Sequence, residues 1–243
     1  MPGIARMSGA SWATRSTTCS TRRARLRDAG EARGETETMI ERLMPSAIGE
    51  RYAGGERDVV SSTDAASAVV LMVNPDAAFG DLADPKASAR LYGQLDDALD
   101  QLATREGVDI LNQAGMNYVA FCGLTAPMAN HAERLARFCR AAGAALARFD
   151  VEHGTNLSVR GGMASAPMFG ALVGNYSTAY EIWGEAVERA HALVAEAQPG
   201  ELVLSGAAFA GAGLDVPGEA LSVLSPDGDD LAARRVPGVF GPQ

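Results

Sequence analysis

The stretch ILNQAGMNYVAFCGL, residues 110–124, does most to limit what this chain can fold into. It reads as two short strands around a tip at Gly115, Met116 and Asn117, with long helical patterns on both sides, SARLYGQLDDALDQLATREG before it and ANHAERLARFCRAAGAALARFDVEHG after. Strands joined this tightly run antiparallel, because a parallel pair needs a crossover of about a dozen residues or more. A purely parallel, doubly wound sheet is thereby excluded. The stretch is also free of charge: no Asp, Glu, Lys or Arg occurs between Asp109 and Glu133.

The remaining pattern extends this middle. SAVVLMVN (residues 67–74) is a continuous apolar run, the signature of a strand buried on both faces. In the first long helix Leu91, Leu95, Ala98, Leu99 and Leu102 share a face, and Gly107 follows its end. In the second, Ala132, Leu135, Phe138, Cys139, Ala142 and Leu146 point inward. NLSVRGGMA is a strand, PMFGALVGNYSTAYEIWG continues through turns into another, EAVERAHALVAEA is a third helix, and ELVLS and ALSVL are late strands. The order strand–helix–strand–strand–helix–strand predicts an α+β fold with a ferredoxin-like βαββαβ core. Its sheet is mainly antiparallel, its helices lie on one face, and further αβ elements extend it.

Upstream, residues 1–36 show no sustained apolar period and hold seven arginines against Asp28, Glu31 and Glu35, so a basic flexible arm is expected there. A leading helix through Met39, Ile40, Leu43 and Met44, stopped by Pro45, and a turn fill residues 37–58. The main domain is expected over 59–225, with 226–243 as a C-terminal tail. The net charge of −9 lies in the body of the chain and argues against nucleic acid as a partner. No apolar run approaches the ~20 residues of a membrane span, and the N-terminus lacks the apolar block of a secretory signal. Three cysteines without metal-ligand spacing fit reduced thiols and a cytoplasmic setting. His131, His153 and His191 have no paired ligand nearby and are expected to be structural or exposed.

GVDILNQAGMNYVAFCG, Gly107–Gly123, resembles without a gap the metal-binding hairpin of class III nucleotidyl cyclases, a segment of the type G-V-E-K-I-K-T-I-G-D-A-Y-M-A-V-C-G. LMPSAIGERYAGGERDV is similar to that family's opening helix and turn. HAERLARFCRAAGAALARF resembles its second helix, and VRGGMASAPMFGALVGNYSTAYEIWGEAVERAHAL resembles R-V-G-I-H-T-G-P-V-V-A-G-V-V-G followed by Y-D-V-W-G-D-T-V-N-V-A-S-R. The likeness runs from about Leu43 to Phe209 and implies the nucleotide cyclase fold. It also implies a chemistry: closure of an NTP to a 3′,5′-cyclic nucleotide, with two aspartates holding two divalent ions.

At the positions the resemblance assigns to that chemistry, other residues stand. Asn74 occupies the place of the first metal aspartate and Met116 that of the second. An amide is a poor ligand for a hard cation and a thioether a soft one. Asp76 is the alternative metal ligand, though beside Pro75 it reads as a turn residue. The base-selecting lysine corresponds to Asn112 and the base-reading aspartate to Glu181. Glu188 stands for the asparagine that orients the ribose, and Ala192 for the transition-state arginine. The expectation is a catalytically silent cyclase homology domain that acts by dimerisation or regulation. It would pair with itself or with another cyclase domain and have no cofactor. The alternatives are an active adenylate or guanylate cyclase with an unusual Mg or Mn site, and a sensor of purine nucleotides.

Overall fold

The computed structural model describes residues 44–74, 79, 84–113, 115–174 and 179–241. Contacts divide the chain between Met44 and Pro45, and the architecture below is that of the second unit. The basic arm, the helix expected over residues 39–44 (Met44 apart) and Asp76 lie outside the described residues. A helix does occur where the sequence pointed to a turn. α1 (Ser46–Ala53) begins directly after Pro45, which sits at its N-cap. Proline ends a helix that precedes it but is tolerated at the start of one that follows.

Strand β1 (Val60–Asn74) is longer than its apolar run, with Ala66 to Leu71 fully buried. Helix α2 (Pro85–Glu106) starts at Asp84, whose carboxylate accepts from the Ala87 N–H at 3.0 Å, and ends at left-handed Gly107. Strands β2 (Asp109–Gln113) and β3 (Asn117–Cys122) form the hairpin. Helix α3 (His131–His153) stops at left-handed Gly154. It is followed by β4 (Ser158–Val173), β5 (Ala179–Trp183), α4 (Glu185–Ala195), β6 (Leu202–Ser205), α5 (Gly206–Gly211), β7 (Glu219–Leu224) and β8 (Asp230–Val236).

The sheet runs β2-β3-β1-β4-β6-β8-β7, with β5 paired to β4. Its first four strands have the ferredoxin-like order, and β1 is antiparallel to both β3 and β4. Among the described residues only the β4–β6 pair is parallel. Alternation along β1 sorts the core into two layers. Val69, Leu71 and Val73 meet α2 and α3 on one face, while Val70 and Met72 belong to the layer under α4 on the other. The two helices of the βαββαβ core thus share a face, and α4, among the added elements, covers the opposite one.

The C-terminal expectation needs correction. β8 lies between β6 and β7, so residues 230–236 are an interior strand of the sheet and not a tail. Val239 and Phe240 beyond it are also buried. They fit because Gly143 leaves α3 bare there: a Cβ on Gly143 would come within 2.7 Å of the Phe240 backbone. The Phe240 ring in turn lies over Gly161 of β4, where an added Cβ would come within 3.0 Å of it.

β1 and β4 are not one continuous ladder. Thr63 pairs with Met168 and Ala66 with Ala166, so β1 carries one extra residue opposite Pro167. Proline has no N–H to give a ladder, and a bulge is where a strand tolerates it. Beyond the bulge, β1 residues 60–63, the end of β4 and all of β5 form a ribbon paired with neither β3 nor β6, referred to below as the arm.

Candidate functional site

Asn74 and Met116 are brought together by the β1–β3 ladder. Met72 pairs with Asn117, and the Val73 N–H donates to the Met116 carbonyl at 3.2 Å, which seats the hairpin tip beside the end of β1. The two side chains then part. Asn74 is exposed and donates from Nδ2 to Ser158 Oγ at 3.3 Å. Met116 is 3% exposed and packs in the core layer of Leu71, Val73 and Leu95. Its backbone is left-handed (φ 59°), the sole non-glycine with positive φ among the described residues. That conformation suits Asp, Asn or Gly better than Met. The tip therefore keeps a turn geometry suited to a short polar residue while its side chain has become part of the core. A thioether inside an apolar layer and an amide turned to Ser158 are not a donor set for a hard divalent cation. Among the described residues, no group of three or more His, Cys, Asp and Glu side chains could hold a metal ion.

Asn112 lies on β2 opposite Tyr118 of β3, and both are tied to α2. Asp96 accepts from Tyr118 Oη at 2.5 Å and from Asn112 Nδ2 at 3.1 Å. Burial, reinforced by the bond to Asp96, pushes the Tyr118 phenol far above its ordinary range. This clamp faces Asn112 toward a helix carboxylate of its own chain. At the start of β2, burial raises Asp109, and the 2.6 Å bond donated by Thr125 Oγ1 partly opposes that. Burial also lifts the Cys122 thiol to about 11 and Cys139 to about 12, which makes both poor nucleophiles.

Glu181, Glu188 and Ala192 lie elsewhere. Glu181 pairs with Ala171 of β4, which pairs with Val60 at the opposite end of β1 from Asn74. Fifteen residues of strand separate those ends, about 45 Å of contour. Glu181 shares the outer face of the arm with Val60, Phe169, Val173 and Trp183, which are 60%, 43%, 41% and 44% exposed. Phe169 and Trp183 stack at 6.4 Å. Glu188 is exposed in the first turn of α4, and Ala192 packs against the core layer beneath that helix.

With the fold and these positions in view, comparison with known proteins is direct. The profile of the adenylate and guanylate cyclase catalytic domain matches residues 61–211, well over half of the chain. The chain belongs to this family. An adenylate cyclase of Mycobacterium tuberculosis is 27% identical over 156 residues, which cover 63% of this chain and 34% of the relative. The chain thus spans about a third of the length of such curated relatives. Among solved structures, the guanylate cyclase domain of RhGC from Catenaria anguillulae in complex with GTP superposes with a TM-score of 0.65 at 16% identity, covering 73% of this chain and 98% of that one. A dimeric guanylyl cyclase domain of the RhoGC fusion protein from Blastocladiella emersonii gives 0.58 at 16% identity, covering 73% and 98%. Both likenesses concern the fold.

For this cyclase domain, one residue escaped the sequence reading. Arg160 lies opposite Met72, two residues along β4 from Ser158, and so shares the face of Asn74. Its Nε is buried without a hydrogen-bond partner, Nη1 reaches the Ala197 carbonyl at 3.4 Å, and Nη2 lies 3.7 Å from the Met72 sulfur. Among the described residues no carboxylate pairs with it. A half-buried guanidinium in that state can receive an anion. The sequence signal was a lone arginine opening an apolar strand, which by itself says nothing of its partners. No helix among the described residues is long and apolar enough to cross a membrane.

Proposed function

We propose that this cyclase domain is catalytically silent and acts by pairing, with a second copy of itself or with another cyclase domain, on the cytoplasmic side where free buried thiols such as Cys122 and Cys139 persist. The observation that carries the reading is Met116, at the hairpin tip where the resemblance calls for a metal-binding carboxylate, and sunk in the core. A silent tip is one of several losses. Asn112 is held by Asp96, Glu188 brings negative charge where a polyphosphate would need the opposite, and Ala192 offers no donor. Removing one transition-state donor typically costs ~10²–10³ in rate, and residues acting as a unit fail together.

Support for pairing comes from the outer face of the arm. Four large apolar side chains in water, two of them stacked aromatics, are the composition of an interface centre. The test is turnover of ATP and GTP with Mg or Mn, run beside sedimentation. The expectation is no cyclic nucleotide above background and a dimer. Paired with an active cyclase domain, this chain should silence it, since a composite site would lack either metal ligands or the ribose and transition-state groups. Product formation that scales with protein concentration overturns the reading.

A second reading rests on Arg160. Its unpaired Nε, on the strand face that also carries Asn74 and Ser158, favours binding of a nucleotide polyphosphate without turnover. Calorimetry with ATP or GTP, repeated on Arg160→Ala, checks it. Heat of binding that the substitution leaves unchanged removes it.

A further inference from the structure

At the root of the arm a polar chain crosses three strands inside an otherwise apolar core. Ser67 is fully buried, two pairs from the bulge at Pro167, and its Oγ lies 2.7 Å from His131 Nδ1 and 2.6 Å from Ser165 Oγ. The Ser165 N–H donates to Ser205 Oγ at 3.4 Å, and Ser205 Oγ also accepts from the Ala208 N–H at the start of α5. His131 is the first residue of α3, pressed on Gly123, where an added Cβ would meet its own at 3.3 Å. The chain therefore connects the beginnings of two helices to β1 and β4 at the point where those strands leave the sheet.

We propose that His131 is a pH-responsive latch at this hinge: the neutral ring bonds Ser67 without carrying charge and steadies the root of the arm, and protonation sets an uncompensated charge there and loosens the arm.

Three physical features support the latch. A proton on His131 places positive charge at the N-terminus of α3, where the helix dipole already points its positive end. With both ring nitrogens donating, Ser67 Oγ must accept from Nδ1 and turn its own proton to Ser165, which fixes a single direction for a chain that the neutral ring leaves free to run either way. The surroundings hold little to compensate the charge. On α3 itself, Glu133 pairs with Arg137, and Arg134 reaches the Glu106 carbonyl and Asn130. β1 brings Asp64, exposed at the bulge, while β3, the stretch of β4 from Gly161 to Phe169, β6 and α5 carry no charged residue. Burial accordingly holds the imidazole below its ordinary value. The stabilisation of the neutral form is present above the ordinary value of about 6.5 and is lost as the pH falls from there through the lowered folded-state value, because the unfolded chain takes up the proton first.

This inference is independent of pairing and is read in the arm. Trp12→Phe leaves Trp183 as the single tryptophan, stacked on Phe169. Its emission is followed from pH 7.5 to 5 at two protein concentrations, so that loosening of the arm is separated from any dissociation. The expected result is one concentration-independent transition with a midpoint below 6.5. It should be abolished by adding His131→Asn, whose amide can still bond Ser67 without titrating, and retained with His191→Asn. The imidazole resonances of His131, followed by NMR in the unsubstituted protein, should titrate with the same midpoint. A transition that survives His131→Asn overturns the proposal, as does a His131 ring that titrates while Trp183 stays unchanged, or one that does not titrate above pH 5.

Discussion

The two ends of β1 carry opposite departures from the usual distribution of polarity. At the hairpin end, a tip whose left-handed backbone suits a short polar residue has turned a methionine into the core. At the arm end, aromatic and aliphatic side chains that would normally be buried stand in water. A domain that had merely decayed would be expected to lose polarity where chemistry was done and gain it on idle surfaces. The proposed pairing function accounts for both departures, an apolar residue at the tip and an apolar outer face on the arm.

The sharpest way to break the comparison is Met116→Asp. It removes a buried side chain worth about 1.5–3 kcal/mol and sets a carboxylate in an apolar layer, with only about 1 kcal/mol returned by the left-handed backbone. A net loss near 3 kcal/mol in urea unfolding is expected, and an unchanged midpoint would mean that the tip faces water. Trp183→Ala tests the other end. Loss of a central aromatic should weaken self-association by about 30-fold or more, seen by sedimentation, with little change in unfolding. Equal effects on both measurements would make the arm a core element.

Asp96→Ala ranks third. It leaves the buried Tyr118 hydroxyl without its acceptor, for a loss of about 1–3 kcal/mol, and it frees Asn112. If stability fell with no change in nucleotide binding, Asn112 would have no role in holding a base. The smallest effect is expected at Asp109. Burial raises its carboxyl, so its contribution favours the fold below the ordinary carboxylate pKa and is lost as the pH rises through the raised value. Asp109→Asn should stabilise the protein slightly at pH 7 and not at pH 3, read as the difference in melting temperature.

Much of this was legible in the residues. The long helices over 85–106 and 131–153 show their 3.6-residue period and their stops at Gly107 and Gly154, and the hairpin shows its tight tip. These signals are local, so the order of the core and its sheet followed from them. β8 was missed because DLAARRV sets two adjacent arginines after two alanines and so shows no apolar alternation. Its inward Arg235 is held by Glu201 and Glu219, which no local pattern discloses. The site divides in the same way. Residue types at Asn74 and Met116 could be read from the resemblance. That one turns to Ser158, the other enters the core and Arg160 lacks a carboxylate partner depends on contacts between distant strands.

The seat of Phe240 has a mechanical consequence. Its ring presses on Gly161, the neighbour of Arg160, and its backbone fills the notch at Gly143. Tension applied near residue 241 would be borne first by that wedge. Drawing it out would uncover the flank of α3 and the backbone beside the guanidinium together. The C-terminal stretch is thus a handle on the Arg160 guanidinium, and Gly143→Ala, by crowding the notch, is the substitution that would work it without touching either site.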